Sequence, residues 1–378
     1  MTRAIAVSSS AERPDEAVLD VAAQLRERGF SRSEARGAAL VFASAHHARD
    51  PGALAGALSD MLGPLPYLGW VGASALHGMK LPEGQAGLSV LLLEDVHGYV
   101  RSARQEGLGA LLAATLAADA PVGRARFVAA AAEGFEPRGF LGSLDEQGVP
   151  LAGGLCVSPS GGVASALAPG LEPPATGLLS LSGCHMLLAV AQGARPLGTT
   201  RRVSRAQGNL LHELDGLPAF EALLADLPPA LRPQLPRLAG SLFCGLATDD
   251  GATFTMRNVV GVDPRAGVVA VAGEPREGSD IVFALRDARA ARADLEETLH
   301  SLVTTLGDRR PLATVLFTCA ARNEGLLGVP LYDVGRVDDL LGGPVVGVAA
   351  GGELCTFGAA SHLFSHTAVV AVLLPDEA

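Results

Sequence analysis

The chain has 378 residues, of which 48% are apolar and 4% aromatic, and its formal net charge is −11. This length and apolar content can supply more than one core, since single cores stop growing at about 250 to 300 residues. The acidic balance and the scarcity of aromatic rings argue against a nucleic-acid-binding surface, which needs basic stripes and stacking side chains. We therefore expect a globular protein of two domains that has no nucleic-acid partner.

Helices and strands alternate in the first hundred residues. Apolar side chains recur at helical spacing over 16–29, and Gly29 supplies a stop. Asp50 followed by Pro51 is typical of a helix start, with Asp as the N-cap, and this helix is predicted to run through Met61. Strand-length apolar runs, typical of buried strands, lie at 38–45, 68–75 and 87–93.

The same order of elements returns near the C-terminus. Apolar spacing predicts a helix over 295–306 and another that ends near Leu341. Strands are predicted at 313–320, 344–349 and 367–374. At a fixed offset of 275 residues, six small or apolar residues match without a gap: Ala38, Phe42, Ala45, Val71, Gly72 and Ala75 with Ala313, Phe317, Ala320, Val346, Gly347 and Ala350.

The repeated order predicts the fold class: an α/β (α+β) protein with two related lobes, each a mixed β-sheet flanked by helices. The middle of the chain contributes further strands, predicted at 149–157, 176–182, 241–247, 258–262, 268–272 and 281–285. We place the domains at 1–29, an N-terminal helix region, at 30–200 and at 201–378.

No motif indicates export, a metal or a cofactor. The N-terminus lacks the apolar stretch of a signal peptide, and no apolar run approaches the ~20 residues that span a bilayer, so a cytoplasmic protein without a membrane partner is expected. The five cysteines never form a CxxC pair, which disfavours disulfides and zinc sites. Glycine-rich nucleotide loops are also missing, so we predict no cofactor.

Several short motifs resemble one known family. The segment 196–224 is similar to the join between the FIST N-terminal and FIST C-terminal domains, where the family pattern is N-x-[hydrophobic]-x-E-L-[DN]-G-x-P-A. The residues that carry this match, with an arginine that precedes a later strand, are Asn209, Glu213, Leu214, Asp215, Gly216, Pro218, Ala219 and Arg257.

Near the C-terminus, Phe317, Cys319 and Arg322 resemble the family's F-x-C-x-G-R pattern, although Ala321 replaces its glycine. The residues similar to its closing pattern are Gly347, Gly352, Glu353, His366 and Thr367. The resemblance extends from about Phe30 to Leu374, and it implies that 30–200 is a FIST N-terminal domain and 201–378 a FIST C-terminal domain. It also implies a non-enzymatic intracellular sensor of small ligands, with amino acids as the suggested class and a separately encoded signalling protein as its partner.

We assign a candidate ligand site to residues that follow consecutive C-terminal strands: Cys319, Arg322, Gly351, Gly352, Glu353 and His366. The guanidinium of Arg322 and the carboxylate of Glu353 are suited to a ligand carboxylate and amine, but they are equally suited to a structural ion pair. Cys319 is either a pocket residue or a buried small hydrophobe. His46 and His47 follow the first buried strand, where they either face a pocket or lie in a solvated loop.

Two other functions stay open at this point. Cys319, His366 and Glu353 are the residue types of a cysteine-dependent hydrolase or transferase, although sequence does not fix the contact between nucleophile and base. Alternatively, the acidic surface and the long loops belong to a protein-interaction scaffold.

Overall fold

The structure is a computed structural model, and it describes residues 2–31, 36–104, 107–117, 123–158, 163–170, 172–238, 240–248, 251 and 253–376. It confirms the mixed α/β class, with several mixed sheets flanked by helices. The chain divides into two compact units: a first unit of Met1–Ala191 and Glu296–Ala378, and a second unit of Gln192–Leu295. These units divide the chain differently from the domains at 30–200 and 201–378, since residues 296–378 return to the unit that the first half builds.

The first unit contains three copies of one arrangement of strands and helices. The first copy consists of β1 (Arg3–Ser9), α1 (Pro14–Glu27), β2 (Gly37–Ser44), α2 (Pro51–Leu62), β3 (Tyr67–Gly72), β4 (Ala75–His77) and β5 (Leu88–Glu94). The second consists of β6 (His97–Ala103), α3 (Leu108–Leu116), β7 (Ala125–Ala131), α4 (Pro137–Asp145), β8 (Leu151–Cys156) and β9 (Thr176–Ser182).

The third copy is interrupted by the second unit. It begins with β10 (Cys184–Ala191) and resumes in α6 (Ala288–Leu306), whose residues belong to this unit from Glu296 onward. The remaining elements are β19 (Ala313–Cys319), α7 (Glu324–Leu327), α8 (Tyr332–Leu341), β20 (Val345–Ala350), β21 (Glu353–Phe357), β22 (Ala360–Phe364) and β23 (Ala368–Pro375).

The strand order establishes the three-fold repeat. It is β1-β5-β2-β3 in the first copy, β6-β9-β7-β8 in the second and β10-β23-β19-β20 in the third. In every copy the two central strands are antiparallel and the last pair is parallel. The copies are also linked: β4 pairs with β20, β21 pairs with β8, and Leu167, which follows β8, bridges to Gly69 of β3.

Close packing of the parallel pairs depends on glycine. Gly153 of β8 lies opposite Val128, and Gly347 of β20 lies opposite Leu316. A Cβ atom at either glycine would overlap the carbonyl oxygen of the residue opposite. The sheets meet in one core, where the Trp70 ring lies 5.2 Å from Phe42 and 5.1 Å from Phe317, centre to centre. Trp70 and Phe42 come from the first sheet and Phe317 from the third, so this core joins separate copies.

The second unit is a closed antiparallel barrel of six strands, in the order β18-β12-β13-β17-β16-β15 and back to β18. Its elements are β11 (Arg195–Pro196), β12 (Arg201–Gln207), β13 (Leu210–Leu214), β14 (Leu217–Pro218), α5 (Ala219–Asp226), β15 (Leu242–Ala247), β16 (Phe254–Asp263), β17 (Val268–Val271) and β18 (Asp280–Leu285). A short 3-10 helix lies at Arg232–Arg237. Ala222 and Leu223 of α5 are part of the barrel core, which gives this unit a core of its own.

The proposed internal duplication is right in its elements and wrong in part of its register. Phe42 is paired with Trp70 across the first parallel pair, whereas Phe317 is paired with Val348. The equivalent of Trp70 is therefore Val348, three residues beyond the ungapped match, because the connections before β3 and β20 differ in length. The sequence comparison also missed the middle copy, in which β7 is Arg126 and Phe127 among alanines and a valine.

Within the described residues, no helix has the length and apolar character that crossing a bilayer requires.

Candidate ligand-binding site

A cavity of about 140 Å³ lies in the first unit at the end of β19. The third copy contributes the ends of β19 and β20 and the segment that leads into α8, and the first copy contributes the connections on either side of β4. Its walls are both apolar and polar. The residues that line it are Ala73, Ser74, Leu76, Glu83, Gly84, Thr318, Cys319, Ala320, Arg322, Asn323, Leu331, Tyr332, Asp333, Val334 and Ala349. The predicted site residues Cys319 and Arg322 are among them.

Backbone hydrogen bonds fix the end of β19. The N–H of Cys319 donates to the carbonyl oxygen of Thr367 at 2.9 Å, and the N–H of Ala320 donates to that of Ala350 at 2.8 Å. The chain then turns, since the N–H of Arg322 donates back to the carbonyl oxygen of Cys319 at 2.8 Å. Because the end of a strand in an open α/β sheet directs the next side chains into the crevice beyond it, Cys319 and Arg322 reach the cavity wall.

Arg322 forms an ion pair with Asp333, whereas the pair that the sequence offered as one of two alternatives was with Glu353. Arg322 Nε lies 2.7 Å from Asp333 Oδ2 and Nη2 lies 2.9 Å from Oδ1, which makes a bidentate pair, and the Thr318 hydroxyl donates to Oδ2 at 2.6 Å. Both charged side chains are at most 3% exposed. Sequence reasoning missed Asp333, because acidic residues are common in the first turn of a helix, where they interact favourably with the helix dipole.

Glu353 is fully buried behind Cys319 and does not line the cavity. Its Oε2 accepts the Thr367 N–H at 3.1 Å and the Thr367 hydroxyl at 2.7 Å. Burial raises the pKa of Glu353 to about 8, against smaller lowering effects of Thr367, the Arg322 charge and the Cys319 thiol. Cys319, Arg322 and Glu353 are therefore neighbours, but Glu353 lies outside the cavity lining.

Glu83 is a cavity residue that sequence reasoning missed. Its Oε1 accepts the N–H of Glu324 at 2.8 Å, and its Oε2 accepts the N–H of Leu331 at 2.8 Å. Glu83 belongs to the first copy and its donors to the third, separated by more than two hundred residues of sequence. No sequence signal marks this contact, because it depends on how the two copies pack.

The other predicted ligand residues lie outside the cavity lining. Gly351 and Gly352 form the turn between β20 and β21 and exchange backbone hydrogen bonds with Leu155 of the second copy. His366 is half-buried in the turn before β23, with a left-handed φ of 65°. The other cysteines are free, buried thiols, and burial raises the pKa of Cys156 and Cys184 to about 12 and also raises that of Cys244 and Cys355.

The motif residues around 209–218 build a hairpin of the second unit. Asn209 lies in the tight turn between β12 and β13, and Glu213 pairs with Arg205 across these strands at 3.0 Å. Asp215 has a left-handed φ of 52° and accepts the N–H of Arg202 at 3.0 Å. Gly216 and Pro218 continue this turn into α5, and Arg257 is half-buried on β16. This motif therefore has a local structural role.

The first strand end differs from the third. His47 is 2% exposed, and its ring nitrogens lie 2.7 Å from the Ala11 carbonyl oxygen and 3.2 Å from that of Gly87. His46 is exposed. Of the two alternatives for this pair, the solvated loop fits His46. His47 fits neither, since its buried imidazole lies between the β1–α1 and β4–β5 connections of the first copy. Among the described residues, no group of three or more His, Cys, Asp or Glu side chains is arranged to hold a metal ion.

Taken together, the three-copy unit, the barrel unit and the polar cavity define a mixed α/β protein of two units. Family models match it twice, as the FIST N domain over residues 37–217 and as the FIST C domain over residues 219–356. The chain belongs to the FIST family, whose domains are generally sensory signal-transduction domains. The recognition from the sequence motifs is confirmed.

Curated relatives are mycobacterial. An uncharacterized protein of Mycobacterium tuberculosis is 30% identical over 202 residues, which is 51% of this chain and 52% of the relative. An uncharacterized protein of Mycobacterium bovis is 31% identical over 204 residues, 52% of each chain. The chain thus spans about half the length of the curated relatives it matches. A solved cyanuric acid hydrolase from A. caulinodans aligns over 99% of both chains, with 8% identity and a TM-score of 0.35.

Proposed function

We propose that this chain is a cytoplasmic, non-enzymatic sensor that binds a small ligand, of the amino-acid class, in the cavity at the end of β19. The cavity of about 140 Å³ is the observation that carries the proposal. In another protein a cavity of about 150 Å³ holds benzene, which has about six non-hydrogen atoms, so this volume suits a ligand of similar size. A separately encoded signalling protein would receive the change in occupancy.

The composition of the wall supports a small amphipathic ligand. Leu76 and Val334 supply apolar surface, and Ser74 and Asn323 supply hydrogen-bonding groups. Small-molecule sites combine a mainly apolar lining with a few placed polar groups that fix orientation. The wall also joins the first and third copies, so a ligand would contact both and stabilise one arrangement of their connections.

The test is a panel of the twenty amino acids and related small metabolites, measured by thermal shift and then by calorimetry. A saturable ligand is expected, and Ala349→Leu should abolish its binding, since an isobutyl group then replaces a methyl group at the cavity wall. The control is Ala22→Leu, at a half-buried alanine on α1 that does not line the cavity. Absence of binding at millimolar concentrations, or binding that Ala349→Leu leaves intact, contradicts the proposal.

A second function, a cysteine-dependent hydrolase or transferase, is favoured by one observation: Cys319 is among the residues that line the cavity. Labelling with iodoacetamide at pH 7, read by mass spectrometry, discriminates the two. Rapid modification at Cys319 that the Cys319→Ala variant lacks supports the enzyme. A thiol that reacts only in denaturant supports the sensor, in which Cys319 packs against its neighbours.

A further inference from the structure

The guanidinium of Arg322 is occupied by the chain itself. Its Nε and Nη2 both donate to Asp333, in the fork geometry that recognises a carboxylate. A ligand carboxylate would have to break this buried pair to use the same two donors, and breaking such a pair leaves an uncompensated charge. A carboxylate that enters the cavity therefore needs donors other than Nε and Nη2 of Arg322.

Two backbone N–H groups at the cavity already hold a carboxylate. The N–H groups of Glu324 and Leu331 each donate to one oxygen of Glu83 at 2.8 Å, and both Glu83 and Leu331 line the cavity. Both donors belong to the connection between β19 and α8, and they converge on the two oxygens of one carboxyl group. Convergent backbone N–H groups are a recurrent way to bind anions.

We propose that these two N–H groups are the carboxylate subsite of the cavity, and that Glu83 occupies it until the carboxylate of a small ligand displaces it. The inference rests on the proposed function and narrows its ligand to a small carboxylic acid. Glu83 is half-buried and lies in the connection between β4 and β5, so it can leave without unfolding a strand.

Displacement of Glu83 has a structural consequence. Its carboxylate links the β4–β5 connection of the first copy to the β19–α8 connection of the third copy. A bound ligand replaces this link, so the β4–β5 connection is released when the subsite fills. As a tethered competitor, Glu83 acts at an effective concentration in the millimolar range, which lowers the apparent affinity of the natural chain for a free carboxylate.

Chemical rescue tests the subsite without knowledge of the ligand. In Glu83→Ala, sodium acetate should bind at the vacated N–H groups and raise Tm by about 2 °C or more at concentrations well above its Kd. Sodium chloride at equal ionic strength and neutral acetamide should not do so. In the natural chain, acetate should have little effect, since Glu83 competes with it.

A matched control comes from the second copy. Glu136 also accepts two backbone N–H groups, from Arg138 at 3.1 Å and Gly139 at 2.7 Å, but it is exposed and does not line this cavity. Glu136→Ala should show no specific rescue by acetate. If Glu83→Ala fails to fold, Glu83→Asp serves the same purpose, because its shorter side chain cannot span both donors and leaves room for acetate.

The outcomes separate the inference from the proposed function. No acetate-specific rise in Tm for either Glu83 variant, or an equal rise for Glu136→Ala, overturns the subsite, even if the panel yields an amino acid. A rise in Tm that is specific to acetate supports the subsite even if the panel yields no ligand. An empty panel would count only against the proposal that the chain senses amino acids. An amino acid from the panel should bind Glu83→Ala about tenfold more tightly than the natural chain.

Discussion

The ends of β2 and β19 are equivalent positions in two copies of one arrangement, yet they hold different chemistry. After β2, the imidazole of His47 is buried, and its ring nitrogens lie within hydrogen-bonding distance of two carbonyl oxygens of its own copy. After β19, Arg322 and Asp333 form a buried ion pair, and a cavity of about 140 Å³ remains beside it. The repeated backbone therefore supplies a position for a site, and the side chains after the strand decide whether the position is filled or open.

The second copy is an intermediate case. A cavity of about 10 Å³, lined in part by Ala131 and Glu133, lies where β7 ends, which is room for about one water molecule. Glu136 follows it and caps α4 through two N–H groups. The comparison of the three strand ends predicts an order of effects on stability. Substitutions in the third copy, after β19, should have the largest effects, followed by substitution of His47, and substitution of Glu136 should have the smallest.

The largest effect on stability is expected for Asp333→Asn. It leaves the buried guanidinium of Arg322 without its charge partner, and loss of one member of a buried pair costs about 3–5 kcal/mol. Urea unfolding measures the change. The control is Asp339→Asn, at a residue whose side chain is 67% exposed beside Arg336, where the expected loss is below about 1 kcal/mol. Equal losses in the two variants would remove the distinction between a buried and a surface pair.

The next effect is a dependence on pH at Glu353. Because its pKa is raised to about 8 in the folded state, the folded chain keeps a proton that the unfolded chain releases near pH 4.5. Stability should therefore fall as the pH rises from about 5 to about 8, by at most about 1.4 kcal/mol per pH unit. Urea unfolding across this range should show a flatter profile for Glu353→Gln than for the natural chain. Glu12→Gln, at an exposed residue, should keep the natural profile; identical slopes in all three would contradict the burial of an ionisable Glu353.

A smaller effect is expected at the filled end of the first copy. His47→Leu removes ring nitrogens that lie within hydrogen-bonding distance of the carbonyl oxygens of Ala11 and Gly87, and loss of the N–H donor leaves an acceptor unsatisfied, at a cost of about 1–3 kcal/mol. Thermal or urea unfolding measures it. His46→Leu, at the exposed neighbour, should change stability by about 0.5 kcal/mol or less. If His47→Leu were neutral, the imidazole would fill space without stabilising the first copy.

The smallest effect is expected for Glu136→Ala, which removes the cap of α4. Loss of a side chain that accepts N–H groups at a helix start costs about 1 kcal/mol. The same unfolding experiment provides the value, with the exposed Glu133→Ala as its control. A loss as large as that of Asp333→Asn would show that the second strand end is as tightly coupled to the core as the third.

Local patterns predicted much of the first and third copies. The helix over 16–29 corresponds to Pro14–Glu27, and the run at 313–320 corresponds to Ala313–Cys319. Asp50 caps α2 as expected, with its side chain accepting the Ala53 N–H at 3.0 Å. The partly exposed strand His97–Ala103, by contrast, has no clear alternation of apolar residues, so the middle copy went unrecognised.

The sequence predicted the strand at which the candidate site lies, but not the residues that pair with or reach over to it. Cys319 and Arg322 were found because both belong to one short motif at the end of a buried strand. Asp333 and Glu83 were missed because the first pairs across a helix start and the second reaches over from another copy. Gly351, Gly352 and His366 follow later strands of the third copy but lie outside the lining, since their connections turn toward β8 and β23.

What the sequence determined by itself is the alternation of buried strands and amphipathic helices, the family, and the position of a candidate site after β19, because each depends on residues close together in the chain. The tertiary structure decided the three-fold repeat, the separate barrel and the pairing of Arg322 with Asp333. It also decided that Glu83 lies at the cavity. These features depend on which distant segments share a sheet edge, and the free energy of that choice comes from burial of apolar surface across copies, which no local pattern records.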